Sequence, residues 1–194
     1  MADIARSAEV AEGTIYLYFK NKHALLQAVV ERFYEGLTEA AQIGVRDIGD
    51  TFECLRFLAA HHLLSCIREW RILELVTALY RNVPKYQTEG QYKLNKAYVA
   101  VFDDVIRTGV ARGDVGESIP LWVVRDLFYG TLEYAARTQI LRGKQEDIDV
   151  IIDNLMTILQ SGVGQERSMK TGVNDLDNVT QRLEAVAARM ESSN

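Results

Sequence analysis

Two prolines in 194 residues leave most of this chain with nothing to interrupt a helix. Two cysteines are too few for a disulfide scaffold. Cys54 and Cys66 also fall in one expected helix, where ~1.5 Å of rise per residue puts them ~18 Å apart, beyond bridging distance. They read as buried thiols; a redox-sensing role is the alternative, and no basic cluster flanks either one to favour it. No apolar run approaches the ~20 residues a membrane span needs. The start, Met1-Ala2-Asp3-Ile4-Ala5-Arg6, has neither the apolar core of a signal peptide nor a transit-peptide pattern, so a cytoplasmic location and no membrane partner are expected. The net charge of −5 argues against a protein that coats nucleic acid nonspecifically. It leaves room for a sequence reader, which needs only a local basic and polar face. Glycine-rich phosphate loops, Gly-x-Ser-x-Gly and His-Glu-x-x-His are all missing. No enzyme, cofactor or metal is therefore expected.

What is present is helical spacing from end to end, so the expected fold is all-α. Ile4, Ala5 and Ala8 make a short amphipathic turn, and a second short helix spans Glu12 to Phe19. A longer helix starts near Asn21, which can cap it, with Leu25, Leu26, Val29, Val30, Phe33 and Leu37 on one face. Gly44 to Asp50 is a break. Thr51 to Arg68 presents Phe52, Leu55, Leu58, Ala59, His62, Leu63 and Cys66 inward. Helices follow at Ile72 to Arg81 and, after Pro84, at Lys85 to Arg112. Gly113 to Pro120 is a loop. Leu121 to Arg142 and Gln145 to Ser161 form a pair hinged at Gly143. The domain division is a helix-turn-helix over 1–26, a larger helical domain over 27–162, a polar linker over 163–172 and an amphipathic helix over 173–191. That last helix carries a short heptad seam of Leu176, Val179, Leu183, Val186 and Met190.

The segment Ile4 to Leu26 carries the most information. Ala5 and Ala8 let two short helices cross closely, Val10 plugs the turn, and Ile15 and Phe19 face the core. Glu12, Gly13, Thr14 and Tyr16 then point outward from the start of the second helix, the end that meets base edges in a major groove. Gly13 permits close approach, and the Thr14 and Tyr16 hydroxyls can bond phosphates or bases. Tyr18, Lys20 and Lys22 lie beside the next helix N-terminus, which suits phosphate binding.

With its Ile-Ala start, Gly13-Thr14-Ile15-Tyr16-Leu17-Tyr18-Phe19 core and following Lys22, Leu25 and Leu26, this segment resembles the helix-turn-helix of the TetR family. The string Gly13 to Lys22 is similar to that of the fatty-acid-metabolism regulators within it. The resemblance implies DNA contacts by Thr14, Tyr16, Tyr18 and Lys22, a double-stranded operator as partner, and a ligand-responsive repressor. It also implies a further helix ahead of Ile4, packing on Ile4, Ile15 and Phe19. The reader is expected to lack it and to be incomplete at its N-terminal side. Glu9 stands where the family turn has glycine, and a left-handed conformation there costs about 1 kcal/mol.

The resemblance implies an effector pocket among the helices around 51–68, 85–112 and 121–142. The residues expected to serve it are His61, His62, Tyr98, Phe102, Phe128, Glu133 and Arg137, and the effector is small and apolar, an acyl-CoA or fatty acid. Adjacent His61 and His62 diverge by ~100° on a helix and make a poor metal pair. The pair 121–142 and 145–161 is apolar on more than one face. Ile148, Ile151, Ile152, Leu155, Met156, Ile158 and Leu159 exceed what a monomer needs to bury, and this predicts a homodimer through four helices. Two other readings fit the same sequence: a dimerisation partner that does not bind DNA, and a helical carrier of an apolar ligand.

Overall fold

The computed structural model describes residues 1–80, 90–143 and 148–163. Among them are eight helices and no strand: α1 (Ala2–Ser7), α2 (Glu12–Tyr18), α3 (Lys22–Val45), α4 (Thr51–Arg68), α5 (Trp70–Tyr80), α6 (Gly90–Arg112), α7 (Leu121–Arg142) and α8 (Ile148–Val163). The expected linker and amphipathic helix beyond residue 163 lie outside the described residues. Val163 itself belongs to α8 rather than to a linker; it is buried, and its carbonyl accepts from Gly116 N at 2.7 Å.

Local chemistry sets the helix ends. Asn21 Oδ1 accepts from Ala24 N at 2.8 Å and starts α3. Asp50 Oδ1 accepts from both Phe52 N and Glu53 N at 2.9 Å and starts α4. Gly143, at φ 61°, closes α7 in the left-handed conformation that a residue without Cβ adopts freely. The loop after α6 folds back on its own helix: Asp114 N donates to Gly109 O at 2.8 Å, and Thr51 Oγ1 donates to Asp114 Oδ2 at 2.7 Å.

Helix α4 is the axis of the body and packs against α3, α6, α7 and α8. Leu55, Leu58, Ala59 and Leu63 from α4 meet Phe102 and Phe128, all at 1 % exposure or less. The Phe102 and Phe128 rings lie 4.7 Å apart. Close approach of α3 and α4 depends on Gly44, where a Cβ would overlap the Phe57 ring.

Helix α3 is gripped mainly along its C-terminal two-thirds, with the partly buried Leu26 as a contact nearer its start. Its buried residues are Val30, Tyr34, Leu37 and Ala41, and none of the eight residues from Lys22 to Val29 is buried. The first part of α3 therefore projects from the body, and α1 and α2 sit at its tip. Within that tip Ala5 and Ile15 are buried, while Ile4 and Phe19 are half-buried.

Val10 departs from its expected role. It is 43 % exposed and plugs nothing. Backbone bonds close the turn instead, Ala8 N to Ile4 O at 2.9 Å and Val10 N to Ala5 O at 3.0 Å. Glu9 does adopt the left-handed conformation expected of it, at φ 55°.

Candidate nucleic-acid interface and effector cavity

The outward face of α2 and the turn into α3 present Glu12, Gly13, Thr14, Tyr16, Tyr18, Lys20 and Lys22, every one exposed. Burial of Ile15 turns α2 so that Tyr16, at 51 % exposure, and Tyr18, at 77 %, point away from the protein. The space beside the Gly13 α-carbon is open for 4 Å. The side chains of Thr14, Tyr16, Lys20 and Lys22 have no hydrogen-bond or ion-pair partner among the described residues. Asn21 uses only the Ala24 amide, so other first-turn N–H groups of α3 stay free beside Lys20 and Lys22. This is a polar face with donors grouped at a helix start, the form that a phosphate-backbone and base-edge contact takes.

A second site lies inside the body. A cavity of about 410 Å³ opens between α3, α4, α5, α6 and α7. Phe33, Tyr34, Leu37, Leu73 and Val99 supply apolar wall; His62, Tyr98, Tyr129 and Glu133 group at one part of it; Tyr92, Asn95, Lys96, Arg125 and Asp126 complete it. His62 Nδ1 and the Tyr98 hydroxyl are 3.0 Å apart, and Cys66 Sγ lies 3.4 Å from His62 Nε2. The His62 and Tyr129 rings meet edge to face at 4.7 Å.

These groups are held neutral. Desolvation lowers the His62 pKa to about 3, helped by the neighbouring His61. Glu133 Oε1, 3.8 Å from His62 Nε2, would favour the charged ring, but its side chain is 61 % exposed and water weakens the attraction. Burial pushes the Cys66 thiol up to about 12 and, as the leading cause, raises both Tyr98 and Tyr129 above the ordinary phenol value. Behind this wall Asp103 Oδ2 accepts from Arg125 Nη1 at 2.9 Å.

Of the residues expected to serve an effector, the cavity brings together His62, Tyr98 and Glu133. The others lie elsewhere. His61 points away, with Nε2 3.0 Å from Leu37 O and its ring stacked on Phe57. Phe102 and Phe128 are at 0 % exposure, in the core behind the wall, and Arg137 is out in solvent. Sequence reading missed the α3 contribution of Phe33, Tyr34 and Leu37. Tyr34, with its hydroxyl on an otherwise aliphatic face, was the available signal.

The described residues contain no group of three His, Cys, Asp or Glu side chains placed to hold a metal ion, and no described helix is long and apolar enough to cross a membrane. Cys54 and Cys66 are both free and buried.

Two family models match. Residues 1–29 match the bacterial regulatory proteins of the tetR family, and residues 26–162 match the C-terminal region of YsiA-like proteins. A fatty acid metabolism regulator protein of Bacillus subtilis (strain 168) is 25 % identical over 166 residues, 84 % of each chain. The uncharacterised HTH-type transcriptional regulator YvdT of the same organism is 24 % identical over 168 residues, again 84 % of each. Among solved structures, the transcriptional regulator FadR of Bacillus subtilis, in complex with stearoyl-CoA, superposes with a TM-score of 0.70 at 23 % identity, over 83 % of this chain and 87 % of that one. The fatty acid degradation regulator FadR of Bacillus halodurans does so with a TM-score of 0.67 at 24 % identity, over 82 % and 86 %. The outward face of α2 and the cavity behind α3 thus sit in a chain matched along 1–162, and the chain belongs to the TetR family of bacterial regulatory proteins as a ligand-responsive transcriptional regulator.

Proposed function

We propose that this protein is a repressor that binds a palindromic operator as a homodimer and leaves it when a small, largely apolar effector fills the cavity. The observation that carries the reading is the double use of α3. Phe33, Tyr34 and Leu37 form cavity wall, and the projecting start of the same helix bears the reader. An effector that fits one orientation of α3 better than another shifts the population of reader positions. Glu12, Gly13, Thr14, Tyr16, Tyr18, Lys20 and Lys22 would contact the DNA. On this reading the protein works in the cytoplasm, where its operator is.

The dimer rests on an apolar face that one copy leaves uncovered. Leu127, Tyr134 and Leu141 recur every seven residues along α7 at 54 %, 71 % and 74 % exposure, and Val150 and Ile158 of α8 are exposed with them. Ile152, Leu155, Met156 and Leu159 are used within the monomer. A two-fold contact of α7 and α8 would set two readers about one DNA turn apart. An acyl-CoA or fatty acid is the effector class supported by the stearoyl-CoA complex of the Bacillus subtilis FadR.

The test is fluorescence anisotropy with the protein and DNA from upstream of its own gene, with and without stearoyl-CoA or stearate. Salt-sensitive binding to one palindrome, reversed by one of these ligands, is expected. Absence of specific binding at low salt would sink the proposal. Leu127→Glu should give monomers in sedimentation and weaken operator binding.

A further inference from the structure

We infer that the cavity seats a neutral oxygen of its effector, a carbonyl or a hydroxyl, on the Tyr129 hydroxyl and turns away a carboxylate at that place. This rests on the reading of the cavity as the effector site and narrows it to a chemical class.

The first support is an unused donor. Tyr129 lines the cavity and is 8 % exposed, and its hydroxyl has no hydrogen-bond partner. The adjacent Tyr98 hydroxyl influences it without meeting hydrogen-bond geometry, being directed to His62 Nδ1 at 3.0 Å. Buried hydroxyls are nearly always paired, because an unmet donor forfeits the hydrogen bond it would make with water. A donor left open in a cavity wall is explained by an acceptor that arrives with the ligand.

The second support is charge. Among the described residues that line the cavity, none offers Tyr129 a buried, unpaired cation. Arg125 is held by Asp103 at 2.9 Å, His62 is neutral at pH 7, and Lys96 is exposed. Glu133 Oε1 stands 3.8 Å from His62, on the same part of the wall. Burial raises its carboxyl above the ordinary carboxylate value. A ligand carboxylate placed here would lose hydration and meet a like charge. A carbonyl or hydroxyl oxygen carries no charge to desolvate or repel, and it accepts a hydrogen bond from the Tyr129 O–H. The rest of the effector then lies on Phe33, Leu37, Leu73 and Val99.

The experiment uses the full chain and three probes of equal chain length, decanol, methyl decanoate and decanoate. Each is titrated at pH 7 against a bound environment-sensitive apolar dye. The two neutral probes should displace the dye about tenfold more tightly than decanoate. Tyr129→Phe should weaken both neutral probes about fivefold to tenfold and leave decanoate unchanged, since it removes one hydrogen bond. Its melting temperature should equal or exceed the parent's, which separates lost recognition from misfolding. Glu133→Gln should tighten decanoate severalfold. Equal displacement by all three probes, or an equal effect of Tyr129→Phe on all three, overturns this inference alone. Failure of every probe to displace the dye overturns it together with the effector reading.

Discussion

Replacing His62 tests the interior electrostatics directly. The ring is 5 % exposed, packed between Tyr98 and Tyr129, and held to a pKa of about 3 by desolvation and then by His61. In the unfolded chain it titrates near 6.5. As pH falls below 6.5 the unfolded state gains a proton that the folded state refuses, so stability drops with pH until about pH 3. The linkage relation gives a contribution of about 0.2 kcal/mol against folding at pH 7 and about 2 kcal/mol at pH 5. Asp103 and Glu133, both raised by burial, work in the opposite sense over the acid end of this window. They are removed by comparison with His62→Gln, which keeps their surroundings nearly unchanged and does not titrate. Urea unfolding of both proteins at pH 7, 6 and 5, at one fixed protein concentration, measures the difference. The parent should lose about 2 kcal/mol more than the variant between pH 7 and 5. Parallel losses would refute the reasoning, because they would mean that the folded ring takes its proton as readily as the unfolded one.

Three further outcomes follow from local geometry. A Cβ at Gly109 would lie 2.6 Å from Thr51 Cγ2 and 2.9 Å from Val115 Cγ2, both on buried residues, whereas the space at Gly36 is open. Gly109→Ala should therefore lower stability by about 1 kcal/mol after its helix-propensity gain, and Gly36→Ala should raise it by about 0.5–1 kcal/mol, both read by urea titration. Asp50→Ala removes both bonds that start α4 and should cost about 1 kcal/mol in the same assay. Lys22→Ala, on the exposed tip, should reduce the salt-dependence slope of operator binding by about one while altering all operator sequences alike.

Helix existence and most helix ends were legible because they depend on neighbours in sequence. Asn21, Asp50, Pro120 and Gly143 act within a turn of their own positions, and α4 and α7 have the expected bounds. Glu9 in the left-handed region was legible for the same reason. The cavity was not, since it is a property of convergence. His61 and His62 differ by ~100° around α4, and the placement of α3 and α6 decides that one bonds Leu37 O while the other meets Tyr98. Phe102 and Phe128 carry the same apolar signal as a cavity wall would, but neither lines the space; they pack on each other at 0 % exposure in the core. Much of the apolar excess of α8 serves the monomer, because Ile152, Leu155, Met156 and Leu159 form one stripe facing its core.

The geometry of α3 also bears on how large an effector-driven shift needs to be. Near its C-terminal end the helix is pinned where the Phe57 ring lies on Gly44. Tyr34, on the cavity, is ten residues or ~15 Å before that pin, and Lys22, at the tip, is twenty-two residues or ~33 Å before it. Rotation about the pin that moves Tyr34 by about 1 Å carries Lys22 by about 2 Å, and two such readers related by a two-fold axis by about 4 Å relative to one another. Hydrogen bonds to bases and phosphates weaken beyond roughly 3.2–3.5 Å, so they do not survive a change of that size in both half-sites. On the proposed mechanism the effector therefore has no need to remodel the reader. It has only to prefer, by a few kcal/mol, the cavity wall that goes with one tilt of α3. The weak grip of the body on Lys22 to Val29 is consistent with this, because that stretch has no fully buried residue and holds to the core through the partly buried Leu26.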